Sequence, residues 1–114
     1  MKPILWVPIA GVALFAAYAF DQHDANDEVD AFARKVAGEM QAACVRDARC
    51  PESPEGWTPE PDAAFATELR GLRVDYRAIR QRSEFRLTAY HRVGSFLALS
   101  GGVALALTER DSYR

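Results

Sequence analysis

A chain of 114 residues, 49% hydrophobic and 26% charged, makes at most one domain and is too apolar for wholesale disorder. Its net charge of −2 hides a division. Four bases against eleven acids over residues 20–65 give −7, and nine against five over residues 66–114 give +4. That asymmetry fits head-to-tail assembly or an anionic partner, and equally one half neutralising the other.

Residues 4–20 carry no charge, while Lys2 precedes them and Asp21, Asp24, Asp27, Glu28 and Asp30 follow. Positive charge stays on the cytoplasmic side, so the N-terminus is expected in the cytoplasm and the rest across the inner membrane, in the periplasm. Seventeen helical residues span about 25 Å, the short end of a membrane crossing. Residues 1–20 therefore form a membrane anchor or signal segment, and residues 21–114 a small extracytoplasmic domain. Ala17-Tyr18-Ala19 fits a signal-peptidase site with cleavage before Phe20, which would leave a periplasmic or secreted protein. An apolar helical pattern that continues past residue 20 favours a retained anchor held in inner-membrane lipid through residues 4–20.

Val29, Phe32, Ala33, Val36, Ala37, Met40, Ala43 and Cys44 recur at steps of three and four. That spacing predicts one apolar stripe on a helix over residues 24–46. Acids in its early turns and Arg46 near its end suit the helix dipole. Cys44 and Cys50 are the only cysteines, and their spacing matches neither a zinc site nor a C-x-x-C motif. Outside the cytoplasm a disulfide between them is expected, clamping the helix end to the next loop. Pro51, Pro54, Pro59 and Pro61 make residues 51–61 an extended connection. Trp57 in its middle either tethers that loop to the domain or serves as a partner anchor.

Residues 62–70 read as a short helix, with Phe65 and Leu69 on one face and Gly71 ending it. From Leu72 the period becomes two. Strands are expected over residues 72–79, 85–93 and 96–99, with a two-residue turn at Gly101-Gly102 and a last strand through Val103, Leu105 and Leu107. The fold class is α+β: an N-terminal apolar helix continuing into an amphipathic helix, packed on a four-stranded antiparallel meander.

No nucleophile–base pair, phosphate loop or metal-ligand spacing can be named, so neither an enzyme nor a cofactor is expected. His91 reads as a hydrogen-bonded strand histidine, and His23 belongs to a solvated acidic helix start. The alternation places Arg73, Arg77, Arg86 and Arg92 on the solvent face of adjacent strands, with Tyr90 between them. Such a face can hold an anionic ligand. Asp75 and Glu84 interrupt it and a single aromatic is present, which argues against nucleic acid.

An apolar span over residues 4–20, an amphipathic helix over residues 29–44 and a meander over residues 72–108 resemble the architecture of type IV pilins and pseudopilins. The family's leader motif is absent: Gly11 is followed by Val12, and residues 4–20 contain no acid. No residue role is carried over. The resemblance implies a non-enzymatic, membrane-anchored component of a bacterial envelope assembly, working through other envelope proteins or self-assembly. The alternative is a cleaved, soluble module that binds an anionic ligand through the arginine face.

Overall fold

A stripe of small and branched residues on one helix needs a broad apolar surface to cover, and alternating strands supply it. The computed structural model describes the backbone of residues 6–60, 63–92 and 94–112, with side chains from residue 24 onward except at residues 60, 63 and 112. One helix, α1 (Trp6–Asp47), precedes six strands: β1 (Thr58–Glu60), β2 (Ala63–Leu69), β3 (Leu72–Ile79), β4 (Glu84–Tyr90), β5 (Phe96–Gly102) and β6 (Thr108–Ser112). The strands form one antiparallel sheet in sequence order. The α+β class therefore holds, but with six strands instead of four.

The α1 stripe lies on β3, β4 and β5. Val29, Ala33, Ala37 and Cys44 are fully buried against Val74, Tyr76, Phe85, Leu87, Ala89 and Leu97. Alanines on the helix let it approach closely, and the large side chains come from the sheet. Each fully buried large side chain contributes about 1.5–3 kcal/mol. The helix ends where Ala48 takes a left-handed conformation at φ 55°. The Cys44–Cys50 disulfide closes the turn beyond it, with both residues fully buried. Cys50 N–H donates to the Arg82 carbonyl at 2.7 Å, and Arg82 Nε donates back to the Cys50 carbonyl at 2.9 Å. The disulfide loop is thereby tied to the β3–β4 turn.

Three expectations are corrected. Residues 62–70 are not a helix, because β2 occupies them. Phe65 and Leu69 are four apart, a spacing that shares one face in helices and strands alike. Pairing with β3 decides between the two, and Leu69 faces Leu72 across a two-residue turn. Arg70 and Gly71 take φ 52° and 73° there, the backbone of a tight hairpin. Secondly, the proline-rich connection contains β1. Pro59 is tolerated there because β1 is an edge strand.

Thirdly, Gly101 and Gly102 are not a turn. They are buried at the end of β5, opposite Phe85 and Glu84. A Cβ on Gly101 would meet the Gln41 amide and the Phe85 ring, and one on Gly102 would overlap the Ser83 carbonyl. These glycines serve close approach. Gly102→Ala is expected to lower stability by about 1–3 kcal/mol, because backbone must move to admit the methyl group. A urea midpoint equal to that of the wild type would contradict this. Residues 103–107 are an exposed connection, and the last strand is β6. Gln41 holds the connection by donating to the Gly102 and Leu105 carbonyls at 3.1 and 2.7 Å and accepting from Gly102 N–H at 2.9 Å.

The expected membrane segment, residues 4–20, lies outside the residues whose side chains are described. Among the described residues no helix is long and apolar enough to cross a membrane.

A candidate ligand-binding sheet face

The sheet face turned away from α1 carries the charged alternation of β3 and β4. Arg73, Arg77, Arg86 and Tyr90 are exposed there, and Arg77 stands directly opposite Arg86. Like charges facing directly across a ladder repel. Asp75 partly offsets the cluster by accepting from Arg73 Nε at 2.7 Å. Glu84 pairs with Arg80 at 3.1 Å.

Arg92 does not join this face. β4 ends at Tyr90, and the Arg92 guanidinium instead donates to the Arg70 carbonyl at 3.1 Å, over the β2–β3 turn. Arg110 takes a place that sequence reasoning missed. It is exposed on β6, opposite Ala98, with the outward residues of β5. No pattern signalled it, because β6 is a polar edge strand and the apolar alternation of residues 103–107 imitates a strand better. Phe96 was missed as well, and its ring lies 6.3 Å from that of Tyr90.

Three adjoining depressions cover the face. One of about 310 Å³ is lined by Asp75, Arg77, Arg86 and Tyr90. A second of about 520 Å³ lies between Arg86 and Arg110 over Ala98 and Ser100. A third of about 480 Å³ is lined by Tyr90, His91, Ser95 and Phe96. The face is open and shallow.

His91 sits behind the third depression. Its Nε2 lies 2.7 Å from Asp30 Oδ1, and its Nδ1 2.8 Å from Ser95 Oγ. An Nε2–H donated to the carboxylate leaves Nδ1 to accept the Ser95 hydroxyl. His91 N–H also donates to the Ser95 carbonyl at 3.0 Å. The side chains of His91 and Asp30 are 9% and 16% exposed, so this chain pins the β4–β5 loop to α1 as a buried polar strut. Among the described residues no group of histidine, cysteine, aspartate and glutamate is arranged to hold a metal ion. The side chain of His23 lies outside the described residues.

Trp57 is half-buried, stacked on Phe32 with ring centroids 6.2 Å apart, and packed against the core. It tethers the proline-rich loop to α1 and leaves only part of its ring at the surface. Arg34 makes a two-bond contact to Glu109 at 2.8 and 3.0 Å, which joins β6 to the helix. That hydrogen bond holds the Glu109 carboxyl below its usual range. Both groups are close to half exposed, so the pair adds little stability.

Tyr76 donates to the Pro51 carbonyl at 2.6 Å from within the core. Desolvation pushes its hydroxyl up to about 12, against a smaller opposing influence from Arg82. The unfolded chain sheds that proton near 10 while the folded chain keeps it. Stability is therefore full below pH 10 and is expected to fall as pH rises towards about 12. Urea midpoints measured across that window should decline in the wild type and stay flatter in Tyr76→Phe. Equal slopes would remove Tyr76 as the cause.

Comparison with family models, characterised proteins and solved structures yields no match.

Proposed function

We propose that this chain is a non-enzymatic, single-pass membrane protein of a bacterial envelope assembly, with its N-terminus in the cytoplasm and its α+β head in the periplasm. The observation that carries the reading is α1. Its uncharged first fifteen residues, 6–20, lead into the same helix whose stripe covers the sheet. A single helix of this kind would hold the head at a fixed distance from the lipid. The chain would then act as pilin-like subunits do, by contact with neighbouring proteins.

Exposed apolar side chains support the protein-contact role. Val45 on α1 and Val103, Leu105 and Leu107 in the connection that Gln41 bonds are 60%, 36%, 48% and 39% exposed. Large apolar side chains left in water supply material for contact surfaces.

Two treatments of cells expressing the full chain test the proposal. The chain should resist an alkaline wash of the membranes, and protease added to spheroplasts should digest the head. Recovery of the head in the soluble periplasmic fraction would contradict the anchor. That outcome would favour the second reading, a soluble module released at Ala17-Tyr18-Ala19 that binds an anionic ligand.

A further inference from the structure

We propose that the outward face of β4, β5 and β6 is a binding site for an acidic polysaccharide strand. The site lies wholly on the head, so it does not depend on whether residues 4–20 are retained. The strand register sets its layout in three rows. Arg86, Ser100 and Thr108 form one row; Thr88, Ala98 and Arg110 form the next; Tyr90 and Phe96 form the third. No acid stands in these rows on β4, β5 and β6; Asp75, which faces Thr88 from β3, is bonded to Arg73. Glu84, one step beyond the rows, faces Gly102 and is paired with Arg80.

Arg86 and Arg110 are exposed, and neither guanidinium has an ionic or hydrogen-bonding partner among the described residues. They stand two strands and one row apart, about 12 Å diagonally across the sheet. The depression of about 520 Å³ between them has a floor of small residues, Ala98 and Ser100. Two guanidiniums across such a trough match successive carboxylates along a chain, each able to accept two parallel hydrogen bonds. The Ser100 and Thr108 hydroxyls, 2.9 Å apart, add short polar groups that suit sugar hydroxyls. At the far end Tyr90, 43% exposed, offers an apolar ring face for a pyranose, buttressed by Phe96.

The same features disfavour other polyanions. Single-stranded nucleic acid is held by successive aromatic platforms, and this face offers one exposed ring. A protein partner would use a large apolar anchor in a pocket, and the trough has none.

The test is isothermal titration of the full chain in detergent micelles with polygalacturonate oligomers, a neutral glucan of equal length, and an oligothymidylate. The uronate oligomer should bind best of the three. Arg86→Gln combined with Arg110→Gln should weaken it about tenfold or more, the usual cost of losing charge-assisted hydrogen bonds. Tyr90→Ala should weaken it severalfold, and Arg46→Gln, at the end of α1, should leave it unchanged. Circular dichroism and melting of each variant check that the head stays folded. The site is overturned if the uronate does not bind, if the neutral glucan binds equally, if the oligothymidylate binds more tightly, or if the double variant binds like the wild type.

Discussion

Phe85→Ala should lower the stability of the head by about 3–5 kcal/mol, the largest effect expected of any single side chain here. Phe85 is fully buried on β4, between Ala78 on β3 and Gly101 on β5. Its ring fills the space that these two small neighbours leave, and it stacks on Tyr76 at a centroid distance of 5.9 Å. No adjacent side chain can expand into the hole. A domain of this size commonly has about 5–15 kcal/mol in total, so the loss removes a large share. The urea midpoint should drop with the denaturant slope unchanged. A loss under about 1 kcal/mol would mean that the core collapses around the cavity, contrary to the packing described.

Loss of the Cys44–Cys50 bridge should cost about 2 kcal/mol or somewhat more. Closing a loop this short removes limited freedom from the unfolded chain, so the entropic share is at the low end. Both residues are fully buried, and replacement by serine would add two hydroxyls to an apolar core. The bridge also positions Cys50 and Pro51 for their hydrogen bonds with Arg82 and Tyr76. Reductant alone should lower the urea midpoint, and Cys44→Ser with Cys50→Ser should lower it further. An unchanged midpoint in reductant would show that the β3–β4 clamp holds the loop without the bridge.

Much of this fold could be read from the chain because its strongest periodicities have a single cause. The α1 stripe faces the sheet along its length and the Trp57 loop at Phe32, and both contacts use one side of the helix, so its spacing is purely helical. The first six residues of β3 and the whole of β4 have one buried and one solvated face, so they alternate cleanly. The readings that failed are those where one pattern serves two structures. Phe65 and Leu69 share a face in either a helix or a strand, and only the tight turn at Arg70-Gly71 distinguishes them. Gly101 and Gly102 look like a turn because glycine permits positive φ, yet they are needed for lack of a side chain. Val103, Leu105 and Leu107 alternate like a strand but lie exposed in a connection.

The same errors shaped the candidate site. Arg73, Arg77, Arg86 and Tyr90 were legible because β3 and β4 were. Arg110 was hidden in a strand with no apolar face, and Arg92 was misplaced because a strand end depends on the loop beyond it. Moving the last strand shifts the basic face towards β5 and β6, away from Asp75. The acid-free trough therefore emerges only once the register is known.

The retained N-terminal anchor is tested most directly by the intact mass of the chain extracted from washed membranes. The expected mass is that of a chain that still carries residues 4–20, with one disulfide shown by a gain of two hydrogens on reduction. A chain beginning at Phe20, recovered from the soluble fraction, would contradict it.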